Sequence, residues 1–331
     1  MLTKSRVGII GSGSWATALA KILLNNVETI NWYFRNPGSI ELFKQFRHNP
    51  GYLRGVEFDI SRINFYDDIN DIVENSDLLV LGIPSAFLEE SLASLNIDLT
   101  NKYIISGIKG IVPGEKLIVG QYLHEIFKVP YERISVLAGP CHAEEIALER
   151  LSYITVACPN VRRAHDFAVL LECPYVRTYQ SDDIFGTEYA SVLKNIYAIG
   201  SGIVNGLRYG DNFQAVLVSN AIQEMERFVG KVYPNVRDIK SSAYLGDLLV
   251  TAYSQFSRNR TFGIMVGKGY SIRTAQLEMH MIAEGFYSTK SIYEMNQNYK
   301  INMPICEAVY NILYGGVAPA GEIRRLTERL R

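Results

Sequence analysis

The 331-residue chain reads as an α/β protein joined to an all-helical second part. Three observations predict this. A glycine-rich turn stands directly after the first apolar run. Short apolar runs, each ended by small or polar residues, then recur through the first half. From about Thr187 onward the pattern changes to apolar residues at helical spacing, with no alternating sheet pattern.

Arg6 to Ile10 is expected to form a short buried strand. Gly11-Ser-Gly-Ser-Trp-Ala16 follows, then a helical stretch from Thr17 to Asn26. Strand, G-x-G-x-x-A turn and helix make the alanine form of the dinucleotide-binding fingerprint. Gly11 allows the tight turn, Gly13 lets backbone approach a pyrophosphate, and Ala16 lets the helix pack close to the strand. The first N–H groups of the helix suit the phosphates. The first domain is therefore expected to be a doubly wound Rossmann sheet.

The second strand, Thr29 to Phe34, ends in Arg35-Asn36. An acid that would take the ribose hydroxyls of NAD is absent there. Arg35 can pair with the 2′-phosphate of NADP or stack on adenine, or stand as a solvated turn residue. The reading leans slightly to NADP and keeps NAD open.

Three more strands are expected at Asp77–Ile83, Tyr103–Ile108 and Ser135–Ala138. They end in Pro84-Ser85, in Lys109-Gly110 and in Gly139-Pro140-Cys141-His142-Ala143. Ligands of open α/β sheets gather at such ends, which points to one crevice. Lys109 is the only long cation among these strand ends. It fits a contact to an anion or carbonyl, and equally an ordinary surface lysine.

The second half is expected to carry helices at 187–205, 212–229, 242–255, 272–283 and 303–313, with domains at 1–186 and 187–331. Lys194 shares a helix face with Ala190, Ser191, Tyr197, Ala198 and Ser201. That face is small enough for a ligand to lie against it. An ammonium losing water there would have a lowered pKa useful for acid–base chemistry, although a lysine can also snorkel to the surface. Asp247 opens a helix and can serve its positive end or pair with a lysine. Ser257-Arg258-Asn259-Arg260 makes a fitting phosphate clamp, because guanidinium offers a planar fork of donors; alone it also reads as a charged loop.

Composition narrows the function. Hydrophobic residues make up 48% and charged residues 20%, and the formal net charge is −1. A sizeable core is expected, disorder is not, and no basic excess exists to bind nucleic acid. Cys141, Cys158, Cys173 and Cys306 are far apart, and the histidines lack ligand spacing. Neither a disulfide framework nor a metal site is expected. With no signal peptide and no apolar run of spanning length, a cytoplasmic protein without membrane insertion is expected.

Taken in order, Gly11-Ser-Gly-Ser-Trp-Ala-Thr-Ala18, Lys109-Gly110, Gly139-Pro140, Leu193-Lys-Asn195, Leu245-Gly-Asp-Leu248, Ser257-Arg-Asn-Arg260, Ala283-Glu-Gly285 and Met303-Pro-Ile-Cys-Glu-Ala-Val-Tyr310 cover nearly the whole chain. This ordered set closely resembles the bacterial-type NAD(P)-dependent glycerol-3-phosphate dehydrogenases. The resemblance implies a Rossmann domain and an all-α domain of the 6-phosphogluconate dehydrogenase C-terminal-like kind. It implies reversible reduction of dihydroxyacetone phosphate to sn-glycerol 3-phosphate for glycerophospholipid synthesis, and a homodimer. By matched position, Lys194 is implied as the general acid/base, with Lys109 and Asp247 beside it. Substrate contacts are implied at Lys109, Gly139, Cys141, Lys194, Asp247, Ser257, Arg258 and Asn259. Cofactor contacts are implied at Gly11, Gly13, Ser14, Trp15, Arg35, Lys109, Ala143, Arg258, Ile282 and Glu284. Lys109 would help lower the pKa of Lys194, and Asp247 would oppose that shift while fixing orientation.

The chain departs from the family pattern where Gly-Pro-Ser-x-Ala is usual and Cys141 takes the serine's place. A thiol is a weaker donor than a hydroxyl, which bears on substrate affinity more than on reaction class. Two other readings stay open on the sequence. One is a related dehydrogenase for another small hydroxy acid or phosphorylated alcohol. The other is a non-catalytic dinucleotide sensor.

Overall fold

A computed structural model describes residues 5–279 and 283–331. The chain forms two compact units, one of residues 1–108 and 119–184, the other of residues 109–118 and 185–331.

The first unit is built on eight strands: β1 (Val7–Ile10), β2 (Ile30–Tyr33), β3 (Ile63–Tyr66), β4 (Leu78–Leu81), β5 (Tyr103–Ser106), β8 (Ile134–Ala138), β9 (Ser152–Ala157) and β10 (Val176–Ser181). The short β6 (Ile111–Val112) and β7 (Leu117–Ile118) form an antiparallel hairpin belonging to the second unit. The sheet order is β10-β9-β8-β5-β4-β1-β2-β3. Strands β1 to β5 and β8 run parallel, while β9 pairs antiparallel with β8 and parallel with β10.

Helices α1 (Ser14–Leu23), α2 (Pro37–Phe46), α3 (Ile69–Glu74), α4 (Leu88–Leu92), α5 (Val119–Phe127), α6 (Ala143–Ala147) and α7 (Val161–Leu171) accompany the sheet. The central strands β1, β4 and β8 are buried along their whole length. Buried parallel strands need apolar residues on both faces, which is why they read as continuous apolar runs. The edge strands β3 and β10 are partly exposed, carry polar residues and escape that signal. The strand order turns back at β1 and β4, the point where open α/β sheets leave a crevice at their carboxyl ends.

The second unit is helical apart from its hairpin: α8 (Ile184–Gly206), α9 (Asp211–Val232), α10 (Asp247–Tyr253), α11 (Arg258–Gly267), α12 (Ile272–Glu278), α13 (Glu284–Tyr299), α14 (Pro304–Leu313) and α15 (Pro319–Thr327). A single π-helical turn, Ser242–Gly246, leads into α10. Three helices, α11, α13 and α15, were not expected from the sequence, and α12 ends at Glu278 where a helix to 283 was expected. Residues 280–282 of that stretch lie outside the described residues. Of these, α11 and α13 are polar or glycine-bearing and their periodicity is weak, whereas α15 has a clear amphipathic pattern that could have been read.

Helix α8 is buried on every side from Gly186 to Val204, not on one face only. Such burial demands neighbours at close range. A Cβ on Gly263 of α11 would lie 3.0 Å from Gly202 Cα, and one on Gly267 would lie 3.1 Å from Gly206 Cα. Glycines one turn apart on each helix thus bring the α8 and α11 backbones together. Among the described residues, no helix is long and apolar enough to cross a membrane.

Candidate active site

The glycine turn sits where β1 meets α1. Gly11 has φ +122°, and a Cβ on it would lie 2.7 Å from Gly82 O after β4. Only glycine fits this left-handed, crowded position. A Cβ on Gly82 would lie 2.9 Å from Ala16 Cβ, so the helix rests on the strand end as the small residue at 16 allows. Gly13, the N-cap of α1, has open space where a side chain would be. A crowded first glycine, an open second glycine and a helix start suit a pyrophosphate. Ser14 is the first residue of α1 and is buried, and the Trp15 ring lies against Gly107 after β5.

Two supports of this turn had no signal in the sequence reading. The fully buried Trp32 of β2 donates its indole N–H to Gly11 O at 2.8 Å. Asn49, in the loop after α2, donates to Ser12 O at 2.9 Å. A tryptophan in an apolar strand and an asparagine in a turn look ordinary until the fold carries them to the glycines.

Arg35 follows β2, and its Nη1 lies 3.3 Å from Glu90 Oε1 of α4, with both side chains well exposed. No acid occupies the end of β2. Gly139 after β8 has φ +111°, and a Cβ there would meet Tyr153 O at 2.6 Å. Cys141 is buried and turns its thiol back to donate to Gly139 O at 3.0 Å. Ala143 is the buried first residue of α6.

The second unit gathers the charged residues. Asp247, 1% exposed, offers Oδ1 to Lys194 Nζ in a hydrogen-bonded ion pair and Oδ2 to Lys109 Nζ at 3.6 Å. One buried carboxylate therefore faces two lysine side chains. Lys109 is the more exposed of the two side chains, at 19% against 5% for Lys194. Breaking up such a buried set leaves an uncompensated charge, which is why removing one partner is costly.

Amides fix this cluster in place. Asn195 Nδ2 donates to Lys109 O at 2.7 Å, Asn259 Nδ2 donates to Asn195 Oδ1 at 2.9 Å, and Gly285 N donates to Asn259 Oδ1 at 2.9 Å. The relay ties the segment leading into the hairpin, α8, α11 and the start of α13 together. It engages both ends of the Asn259 amide. Ser257 caps α11, its hydroxyl accepting from Arg260 N at 3.3 Å, and Arg258 is the first residue of that helix. Glu284 opens α13. Ile282 lies outside the described residues.

Beyond Lys194 on α8 lies a second buried group. Glu224 of α9 accepts from Ile305 N and Cys306 N, each at 2.9 Å, at the start of α14. Burial pushes its carboxyl up to about 7 against the opposing pull of those two N–H donors. The same burial, and then the nearby Glu224, push the Tyr197 phenol well above its ordinary value.

A dinucleotide turn on a Rossmann sheet, joined in one chain to a helical unit with a buried lysine–aspartate cluster, defines a two-domain nicotinamide-dependent dehydrogenase. The family described as NAD-dependent glycerol-3-phosphate dehydrogenase matches twice, its N-terminus over residues 6–164 and its C-terminus over residues 183–324. The chain belongs to this family. It is 32% identical to a glycerol-3-phosphate dehydrogenase, NAD(P)+, of Staphylococcus carnosus, over 94% of each chain. It is 33% identical to that of Thermobifida fusca, over 96% of this chain and 94% of the relative. The crystal structure of glycerol-3-phosphate dehydrogenase from Coxiella burnetii superposes with a TM-score of 0.91 at 28% identity, covering 98% of this chain and 99% of that one.

Proposed function

We propose that this protein catalyses the reversible NAD(P)-dependent reduction of dihydroxyacetone phosphate to sn-glycerol 3-phosphate. The observation that carries the reading is the cluster in which Asp247 holds both Lys194 and Lys109. Family membership supplies the substrate class, because the named relatives act on glycerol 3-phosphate.

When bound at the Gly11–Ala16 turn, the nicotinamide cofactor supplies the hydride that reaches the ketone carbon. Lys194, as ammonium, stabilises the negative charge that develops on the carbonyl oxygen and donates the proton that completes the alcohol. In the reverse direction neutral Lys194 takes the hydroxyl proton. Asp247 fixes the direction in which the Lys194 ammonium points, and Lys109 adds positive charge for the oxygen or the phosphate. Ser257, Arg258 and Asn259 serve the phosphate, so binding energy remote from the carbonyl positions it. Gly139 and Cys141 complete the substrate contacts, with the thiol already donating to Gly139 O. Ser14, Trp15, Arg35, Ala143, Arg258, Ile282 and Glu284 are assigned to the cofactor on family position. A cytoplasmic location, a homodimer and a role in glycerophospholipid synthesis belong to the same proposal and rest on family membership.

The test is oxidation of NADH and NADPH with dihydroxyacetone phosphate, compared with dihydroxyacetone. Turnover that depends on the phosphate is expected, with dihydroxyacetone far poorer. An inert dihydroxyacetone phosphate together with turnover of a keto acid would sink the reading.

A further inference from the structure

Asn49 lies in the loop between α2 and β3 and is 2% exposed, although an amide in a turn ordinarily faces solvent. Every polar atom of its side chain is used. Nδ2 donates to Ser12 O at 2.9 Å and to Thr17 Oγ1 at 2.8 Å. Oδ1 accepts from Gly51 N at 2.9 Å and from Tyr52 N at 3.2 Å, which fixes the loop that carries the side chain. Thr17 Oγ1 in turn donates to Gly13 O at 2.9 Å.

The two carbonyls of the glycine turn, those of Ser12 and Gly13, are therefore both held on the side of Asn49 and Thr17. A trans peptide is planar, and its C=O and the following N–H point in opposite directions. Holding Ser12 O fixes the direction of the Gly13 N–H. Holding Gly13 O fixes that of the Ser14 N–H. These are the backbone groups that a helix start presents to an anion. Gly13 has no side chain to restrict its own φ and ψ, so an outside brace removes freedom that the turn would otherwise lose only on binding.

We propose that Asn49, acting through Ser12 and Thr17, is a positioning residue that preorganises the Gly13 and Ser14 N–H groups for the dinucleotide pyrophosphate. The inference rests on the dinucleotide reading above and is independent of which ketone is reduced.

The test is direct NADH titration of the full chain by fluorescence, with steady-state kinetics alongside. Asn49→Ala removes the brace together with its loop turn. Thr17→Val removes the hydroxyl link at constant shape and leaves the Asn49 turn in place, and Thr17→Ser restores the hydroxyl. Asn49→Ala and Thr17→Val are expected to raise the NADH Kd and the KM for NADH by about tenfold or more, with Thr17→Ser within about threefold of the parent. The KM for the ketone and kcat at saturating NADH are expected to stay within about twofold. An unchanged NADH Kd in Thr17→Val overturns the proposal, even if Asn49→Ala fails to fold. So does a loss in which kcat and both KM values move together, the mark of general structural damage. Failure of the parent chain itself to bind either nicotinamide cofactor overturns the dinucleotide reading and the inference with it.

Discussion

Asp247 holds Lys194 in a buried ion pair. A lone ammonium this deep would be costly to keep, while a carboxylate shared between two lysines keeps charge in the cluster and fixes its geometry. Lys194→Ala is expected to lower kcat by roughly 10²–10⁴-fold while leaving the NADH Kd nearly unchanged. Turnover close to the parent's would remove the acid/base assignment. At the cofactor end, Arg35 is exposed and pairs with Glu90, a surface contact worth little by itself. Arg35→Ala is expected to weaken NADPH several-fold more than NADH, measured as two Kd values. Equal losses would end the 2′-phosphate role. Lys194, Lys109 and Asp247 could each be picked from the sequence, since each is a charged residue in an apolar or strand-end setting. Asn195, Asn49 and Trp32 could not, because their partners are fixed only by the folded backbone.

At the scale of elements, the amide relay beside Lys109 depends on how closely α8 and α11 approach. Gly202, Gly206, Gly263 and Gly267 let the two backbones touch, and Asn259 thereby reaches Asn195. Gly263→Ala would place a methyl against Ile199 O and Gly202 Cα, in space the α8 backbone already fills. A stability loss of about 1–3 kcal/mol is expected from such overpacking, read by denaturant unfolding. A fall in kcat is expected to accompany it, because the Asn195–Asn259 contact sets the Lys109 backbone. A stable, fully active variant would show that this approach is not needed. Strands β1, β2, β4, β5 and β8 and the long apolar helices were readable in advance, whereas the interior strand β9 was not expected although it is almost fully buried. The edge strands β3 and β10 and the polar helix α13 were not, since burial on one side leaves a weaker pattern than burial on two.

Across the whole molecule, a pH dependence of stability is expected from Glu224, which has no part in the proposed chemistry. Its carboxyl is pushed up to about 7 in the folded chain, so the folded state holds a proton that the unfolded chain releases near the ordinary value of 4.5. Its contribution to stability is full below that ordinary value and is lost as pH rises through about 7. The total is on the order of 3 kcal/mol. Glu224→Gln keeps one acceptor for the two backbone N–H groups and cannot ionise. Unfolding curves measured across this window should fall with pH in the parent and be flatter in the variant. Parallel curves would show that Glu224 does not titrate there.

The sequence alone determined the class of fold, the place of the dinucleotide turn and the identity of the charged residues, because these follow from local spacing: a glycine turn after an apolar strand, a lysine on an apolar helix. Tertiary structure decided the rest. It drew residues 109–118 into the helical unit, so that Lys109 shares a carboxylate with Lys194. It set Asn49 beneath the glycine turn and Glu224 at the start of α14. Contacts between residues dozens of positions apart leave no periodic trace in the chain. They exist only once burial forces each polar group to find a partner.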